Sequence, residues 1–208
     1  MNNPTESTPK PRKEEILDVA TRHFAERGYE GTSMNDVAEA VGVRKASLFY
    51  HFETKEALYE AVIDRLIATI ATPLGAAYEA EGTWEERLVN AADTVTSVLA
   101  AHPYAARLLL REAMDWGPIV RGKMSGQAVA VLEMSAAFIR AGQEAGVFAK
   151  ADARQIMVTL IGLHFVPFAL GQLVEQFTGK QPFDPQFIEE RRAAVRSQVR
   201  DMVVGTKG

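Results

Sequence analysis

The chain has 208 residues, of which 47% are hydrophobic and 24% charged, values typical of a soluble globular protein. It contains no cysteine, which excludes disulfide bonds, a thiol nucleophile and cysteine ligands to a metal. A formal net charge of −4 and a pI near 5.7 exclude a broadly basic nucleic-acid coat, so any contact with DNA must come from a small local patch.

The chain lacks the patterns of a membrane or secreted protein. No run approaches the roughly 18 uninterrupted apolar residues that a membrane span needs. The polar N-terminus lacks the apolar stretch of a secretory signal peptide. These observations predict a cytoplasmic protein that does not contact a membrane.

Helical periodicity extends along the whole chain and predicts an all-α fold of about nine helices. Residues 1–11 hold three prolines among polar residues and are predicted to be a disordered arm. A first helix is predicted over about 12–27, with apolar residues on one stripe, and Gly28 is its predicted C-cap. Ser33 and Asp36 have the spacing of a capping box and predict the start of a second, short helix.

Gly42 separates this helix from a third, which begins near Arg44. Thr54 is a suitable N-cap for a fourth helix, predicted to end at about Thr72, before Pro73. Longer amphipathic helices follow, predicted at about 84–100, 103–115, 119–145, 153–178 and 185–203.

Pro167 lies inside the predicted helix 153–178. It removes one backbone N–H and frees the carbonyl of Leu163. The resulting kink beside His164 either opens space for a ligand or only bends the helix around the bundle. The sequence leaves both interpretations open.

The two short helices joined through Gly42 predict a helix-turn-helix, whose second helix fits the major groove of DNA. The apolar residues Val37, Ala38, Val43, Leu48 and Phe52 are spaced to pack inward, which leaves a compact surface rich in donors and aromatic rings. The candidate DNA-binding residues are Ser33, Asn35, Arg44, Lys45, Ala46, Ser47, Phe49, Tyr50, His51 and Lys55.

These side chains suit different roles. Lys45 can donate to guanine, Ala46 allows close approach to the bases, and Phe49 offers an apolar surface to a thymine methyl group. The side chains of Arg44, Ser47, Tyr50 and His51 can reach phosphates, as can Lys55 at the start of the fourth helix.

Simpler interpretations also fit these residues. The helix could be a solvated face over a small core, and His51 could be a buried structural residue. Tyr50 could pack on the first helix, and Asn35 could be an ordinary exposed residue at a helix start.

Residues 12–60 resemble the DNA-binding domain of TetR/AcrR-family regulators. The resemblance rests on the run Leu48-Phe49-Tyr50-His51-Phe52 followed by Lys55, and on Gly28-Tyr29, Thr32-Ser33 and Val37-Ala38 upstream. This sequence departs from the family pattern at Arg44, where a small hydroxyl residue is common, and at Phe49, where tyrosine is common.

The resemblance implies a DNA-binding domain over 12–58 and a ligand-sensing and dimerising helical domain over 59–208. It also implies a homodimer on an inverted-repeat operator, and a small-molecule effector whose binding tilts helix 4 and lowers operator affinity. The predicted dimer interface, called the seam below, comes from the last two long helices. Its residues are Gly162, Phe165, Phe168, Ala169, Gln172, Phe187, Arg191, Ala194, Val195, Gln198 and Met202.

Aromatic and polar residues of the middle helices are candidates for lining an effector pocket, although the same residues could fill the core. They are His102, Tyr104, Arg107, Met114, Trp116, Phe138, His164 and Phe168.

An enzyme is the first rival hypothesis. The four histidines show no metal-binding spacing, and the chain has no phosphate-binding loop, dinucleotide fingerprint or nucleophile elbow. No catalytic residue, cofactor or metal is therefore predicted. A helical protein-interaction adaptor, or an activator without an effector, is the second rival.

Overall fold

The structure, a computed structural model, describes residues 12–114 and 126–204. Every regular element in these ranges is an α helix, which confirms the predicted fold class. The elements are α1 (Arg12–Arg27), α2 (Met34–Val41), α3 (Lys45–His51), α4 (Lys55–Glu79), α5 (Trp84–Ala101), α6 (Ala105–Met114), α7 (Gly126–Glu144), α8 (Ala153–Ala169), α9 (Gly171–Thr178) and α10 (Pro185–Val203). The predicted arm and Trp116 lie outside the described residues.

The chain divides into two compact units, one ending at Val62 and one beginning at Ile63, so the division falls within α4. In the first unit α2 packs on α1 and α3 packs on α2. The stripe of Ile16, Ala20 and Phe24 on α1 is fully buried, as is Leu48 of α3. Burial of this stripe holds three short helices together that could not be stable alone.

Local hydrogen bonds set the helix ends in the first unit. The backbone N–H of Asp36 donates to the Ser33 hydroxyl at 3.2 Å, and the N–H of Ser33 donates to the Asp36 carboxylate at 3.0 Å. Gly42 ends α2 at φ +75°, a left-handed conformation that costs glycine little. The N–H of Ala57 donates to the Thr54 hydroxyl at 3.0 Å. The capping box, the glycine turn and the Thr54 cap were all predicted, and all three are confirmed.

The predicted end of the fourth helix is wrong, since α4 runs through Pro73 to Glu79. A proline inside a helix costs about 3 kcal/mol. Leu74 and Tyr78 follow Pro73, Leu74 is buried, and Tyr78 stacks on the ring of Phe138 at 4.4 Å. Each such burial contributes about 1.5–3 kcal/mol, which offsets the penalty and lets the helix continue.

In the second unit the most extensive helix packing is between α5 and α10. Their apolar faces join the core of the unit, where Leu88 of α5 and Val195 and Val199 of α10 are buried. Beside this face the Asp93 carboxylate accepts hydrogen bonds from Arg192, at 2.5 and 2.9 Å, and from Arg196 at 2.6 Å.

The hydrogen bonds from Arg192 are the main reason that the pKa of Asp93 lies below its ordinary value. A carboxyl with a lowered folded pKa contributes stability above its unfolded pKa, and this contribution is lost as the pH falls through the folded pKa. We therefore expect Asp93→Asn to lower the free energy of unfolding by about 1–3 kcal/mol at pH 7, and by progressively less below about pH 4. Urea denaturation measured at several pH values tests this.

Glu189→Gln is the matched control, because Glu189 pairs with the same Arg192 at 2.7 Å from an exposed position. It should change the free energy of unfolding by less than about 1 kcal/mol. Equal effects of the two substitutions would contradict a specific role for Asp93.

The predicted single helix over 153–178 is also wrong. The chain bends by 80° at the break between α8 and α9, where Leu170 leaves the helical conformation with φ −99° and ψ 38°. A Cβ on Gly171 would lie 3.3 Å from Pro182, so the start of α9 lies close to a later part of the chain. Helical periodicity carries no signal of such a contact.

Pro167 itself lies inside α8, and the carbonyl of Leu163 that it leaves free has a partner on another helix. The guanidinium of Arg191 on α10 donates to this carbonyl at 2.5 Å. A bond to a charged donor thus replaces the missing helical bond and links α8 to α10.

By length and composition, α4 could cross a membrane, and so could α8 with α9 if they are counted as one bent span. Core helices pass the same test. In α4 the buried residues Leu66, Ile67 and Ile70 give the apolar character of a core helix.

Candidate DNA interface and ligand cavity

The α3 helix presents one buried face and one exposed face. Leu48 is fully buried, whereas Arg44, Lys45, Ala46 and Ser47 are exposed at the N-terminal end of the helix. These are the residues that enter the major groove first when a helix-turn-helix docks on DNA. The exposed face therefore has the composition and placement of a recognition surface.

The aromatic residues of α3 differ in exposure. Tyr50 is 86% exposed and does not pack on α1 as a core residue. Its ring meets His51 edge-on at 5.5 Å, and His51 is half-buried. Phe49 is half-buried, with the Lys45 ammonium 5.6 Å from the centre of its ring. Ser33 and Asn35, at the start of α2, are exposed.

Lys55, predicted to contact a phosphate, has a structural partner. Its ammonium donates to the carbonyl of Tyr29 at 2.8 Å and lies 4.1 Å from the centre of the Tyr29 ring. The Tyr29 ring in turn packs edge-on against Tyr59 at 5.0 Å. An ammonium has three donors, so a phosphate contact stays compatible with this fixed position.

We expect Lys55→Met to lower the free energy of unfolding by about 1–2 kcal/mol, because it removes a charged hydrogen bond and a cation–π contact while keeping the aliphatic stem. Lys45→Met, at an exposed position, should change stability by no more than about 0.5 kcal/mol and act only on DNA binding. Thermal unfolding and DNA affinity, measured on both variants, separate these effects. If Lys55→Met left stability unchanged, the Tyr29 contact would have no structural role.

The second unit contains a cavity of about 450 Å³ between helices α4 to α8 and α10. Its walls are almost entirely hydrocarbon. Its lining residues are Ile63, Ile67, Ile70, Leu74, Tyr78, Leu88, Ala91, Ala92, Val95, Leu109, Leu110, Glu112, Ala113, Ala128, Val131, Leu132, Ser135, Met157, Leu160, Ile161, His164, Phe165 and Val199. A volume and lining of this kind are typical of small-molecule sites.

Few polar side chains reach this cavity from the described residues: Tyr78, Glu112, Ser135 and His164. His164 is buried, and burial lowers its pKa to about 4, with a smaller contribution from the charge of Arg191. The imidazole is therefore neutral near pH 7. Burial also raises the pKa of Tyr78.

Of the predicted pocket residues, His164 lines the cavity and the other described ones do not. Met114 is 72% exposed, and His102 and Arg107 are also exposed. Tyr104 is half-buried outside the cavity, and Phe168 is buried against Phe183, with ring centres 5.6 Å apart.

Phe138, also predicted to line the pocket, belongs instead to a cluster of aromatic rings. Its ring centre lies 4.4 Å from that of Tyr78, 5.3 Å from that of Trp84 and 5.9 Å from that of Phe148. It is therefore a core residue.

Some of the predicted seam residues are buried within the subunit, and others keep surface that a partner could contact. Val195 is fully buried and Phe187 is 8% exposed, so both pack inside their own subunit and have little or no surface to offer a partner. Phe165 lines the cavity, Phe168 is buried, and Arg191 donates to the Leu163 carbonyl. The remaining predicted residues keep exposed or partly exposed surface: Gly162, Ala169, Gln172, Ala194, Gln198 and Met202.

Two family models together match most of the chain. Residues 16–62 match "Bacterial regulatory proteins, tetR family", and residues 85–203 match "Tetracyclin repressor-like, C-terminal domain". The chain belongs to the TetR family of bacterial regulatory proteins. The resemblance predicted from the helix-turn-helix is thus confirmed, and this TetR-family protein is a DNA-binding transcriptional regulator.

Individual relatives agree with this assignment. The TetR-family chain is 28% identical over 181 residues to the HTH-type transcriptional regulator RutR of Escherichia coli K12, covering 86% of this chain and 84% of RutR. It is 48% identical over 48 residues to IcaR of Staphylococcus aureus, a negative transcriptional regulator of a biofilm operon, covering 23% of this chain and 26% of IcaR. The crystal structure of AibR with isovaleryl coenzyme A and operator DNA has the same fold, with a TM-score of 0.74, 18% identity and coverage of 94% and 99% of the two chains.

Sequence reasoning missed most of the cavity wall of this TetR-family protein. Ile63, Ile67, Ile70 and Leu74 recur at helical spacing on α4, which is also the spacing of ordinary core residues. The partner of Lys55 was missed as well, because its contact with Tyr29 joins residues far apart in sequence.

Proposed function

We propose that this TetR-family protein is a cytoplasmic, ligand-responsive repressor that binds an inverted-repeat operator as a homodimer. The observation that carries this proposal is the exposed donor-rich face of α3 above its buried Leu48. Lys45 and Ala46 meet the base edges, and Phe49 contacts a thymine methyl. The side chains of Arg44, Ser47, Tyr50, His51 and Lys55 bind phosphates, with Ser33 and Asn35 at the margin.

Repression, as opposed to activation, is supported by IcaR, which is named as a negative regulator and is similar over the DNA-binding segment. The net charge of −4 makes one copy of the basic surface a weak ligand for DNA. Two copies spaced by one or more helical turns would bind successive major grooves of an inverted repeat.

Exposed apolar residues on α8 and α9 support dimerisation. Val158, Gly162 and Val166 recur every four residues on α8, Leu170 lies at the break, and Leu173 and Phe177 lie four residues apart on α9, beyond the 80° bend. The large side chains among them are 41–89% exposed. Several large apolar side chains this exposed are costly to leave in water, and a second copy that presents the same residues would cover them by two-fold symmetry.

The cavity in the second unit is the proposed effector site, and α4 is the element that would transmit binding. One continuous helix carries Leu58 and Tyr59 in the core of the first unit and Ile63, Ile67 and Ile70 in the cavity wall. An effector that moves this wall therefore moves a helix on which the DNA-binding unit is built. Coupling of this kind lowers operator affinity when the effector binds better to the DNA-free conformation.

Footprinting of the purified protein on the intergenic DNA beside its own gene, at two salt concentrations, tests the proposal. We expect protection of an inverted repeat, with affinity that falls steeply as salt rises because phosphate contacts release counterions. Protection should be lost in Lys45→Ala at unchanged stability. Absence of any protected inverted repeat would contradict a local repressor.

Leu173→Glu should dissociate the dimer, because it places a charge among the exposed apolar residues of α9, where Leu173 is 61% exposed in the single chain. Analytical ultracentrifugation should show a monomer, and operator affinity should fall by about a hundredfold or more through the loss of the second half-site. Val129→Glu, at a 38% exposed position on α7, is the matched control and should leave the dimer intact. A dimeric Leu173→Glu protein would place the interface elsewhere.

A further inference from the structure

The hydrogen-bond pattern of the cavity indicates what kind of effector it binds. Thr96 of α5 lies behind the wall, with its hydroxyl 3.1 Å from the Ala92 carbonyl and 3.2 Å from Nδ1 of His164. A hydroxyl has one proton, and a carbonyl oxygen can only accept. If that proton went to Nδ1, the Thr96 and Ala92 oxygens would face each other without a hydrogen between them.

Both contacts are hydrogen bonds only when Thr96 donates to Ala92 and Nδ1–H of His164 donates to Thr96. This pair of hydrogen bonds places the single proton of the neutral imidazole on Nδ1. Because the buried ring has a pKa of about 4, it is neutral near pH 7, so its second nitrogen, Nε2, carries a lone pair and no proton. His164 is therefore a hydrogen-bond acceptor towards a ligand.

A second hydroxyl in the cavity wall, that of Ser135, also has no free proton for a ligand. The Ser135 hydroxyl donates to the Val131 carbonyl at 2.9 Å. Its single proton is thereby used, so Ser135 offers only acceptor capacity to the cavity. The other polar side chains among the described lining residues are Tyr78 and Glu112.

Hydrocarbon walls together with the acceptors His164 and Ser135 favour a ligand that is mostly apolar and carries a hydrogen-bond donor. We propose that the effector is a mostly apolar molecule with a hydrogen-bond donor, an alcohol or an amine, that donates to Nε2 of His164. A carboxylate lacks the donor and would bury its charge among hydrocarbon walls. This inference rests on the proposed function, because it takes the cavity to be the effector site.

Calorimetric titration of the full-length protein without DNA tests the class with three probes that share an alkyl chain. Decanol carries the donor, its isomer methyl nonyl ether does not, and decanoate carries an anion. We expect decanol to bind at least about tenfold more tightly than either of the others, because a buried acceptor left unpaired costs binding energy. Nitrogen-15 NMR of the imidazole should show the proton of His164 on Nδ1.

Two variants test whether the preference for decanol over the ether depends on His164 and on its tautomer. His164→Leu removes the acceptor. Thr96→Val removes the hydroxyl that fixes the tautomer and nearly preserves the shape of the side chain. Both should bring the affinities of decanol and the ether to within about twofold. Thr94→Val is the matched control, since Thr94 lies on the same helix and its hydroxyl donates to the Asn90 carbonyl at 2.7 Å. It should keep the preference.

Equal or tighter binding of the ether or decanoate would overturn the inference, as would a proton on Nε2 or no binding of any probe. None of these results depends on operator recognition, which footprinting of the unliganded protein measures separately. Loss of the footprint would overturn the proposed function, whereas a wrong probe order with an intact footprint would overturn only the effector class.

Discussion

Phe138→Ala is expected to lower the free energy of unfolding of the second unit by about 3–5 kcal/mol. Phe138 is 7% exposed, stacks on Tyr78 with an interplanar angle of 20°, and contacts the rings of Trp84 and Phe148. The Arg87 guanidinium lies 5.2 Å from its ring centre. Alanine would remove this ring from four neighbours and leave a cavity that helices α4, α5 and α7 cannot close without moving.

Chemical denaturation followed by tryptophan fluorescence measures this effect, because Trp84 belongs to the same cluster. Phe138→Leu is the graded control and should cost clearly less, because leucine keeps most of the buried volume. A cost below about 1 kcal/mol for Phe138→Ala would contradict a core role. A selective loss of effector binding at unchanged stability would restore the pocket role that the sequence predicted.

Leu48→Ala is expected to lower the stability of the first unit by about 2–5 kcal/mol and to abolish operator binding. Leu48 is fully buried and is the main apolar anchor of the seven-residue α3 helix. A helix this short does not persist in water without tertiary packing. The loss of one anchor therefore disorders the whole recognition surface, although Leu48 cannot touch DNA from its buried position.

Ser47→Ala, on the exposed side of the same helix, is the matched control. It should leave stability unchanged or raise it slightly, since alanine favours helix, and should weaken operator binding by no more than one lost phosphate contact. Hydrogen exchange resolves the two units and should show lost protection in α1 to α3 only. Retained operator binding by Leu48→Ala would contradict the view that packing of this residue positions the helix.

The short-range features of the DNA-binding unit could be predicted well. The Ser33–Asp36 capping box, the left-handed Gly42 and the Thr54 cap each depend on residues within a few positions of one another. The chemistry that fixes them is therefore present in the local sequence. The start of α10 at Pro185 was also predicted, and the Asp184 cap that fixes it is a local feature of the same kind.

The errors fall where a contact between distant segments outweighs local preference. Pro73 predicted a helix end, but burial of Leu74 and stacking of Tyr78 on Phe138 carry α4 onward. Uninterrupted periodicity predicted one helix over 153–178, but the chain turns by 80° where Gly171 packs against Pro182. A single-sequence pattern does not contain the partner that decides either case.

The sequence by itself determined the helical class, the helix-turn-helix and the exposed face from Arg44 to Ser47, because period, caps and turn residues act over a few positions. Only the tertiary structure decided which apolar side chains line a cavity and which fill the core. Phe138 and Ile67 both lie at helical spacing, yet one stacks within an aromatic cluster and the other borders the cavity. The acceptor role of His164 was decided in the same way, since it depends on Thr96, a residue of another helix.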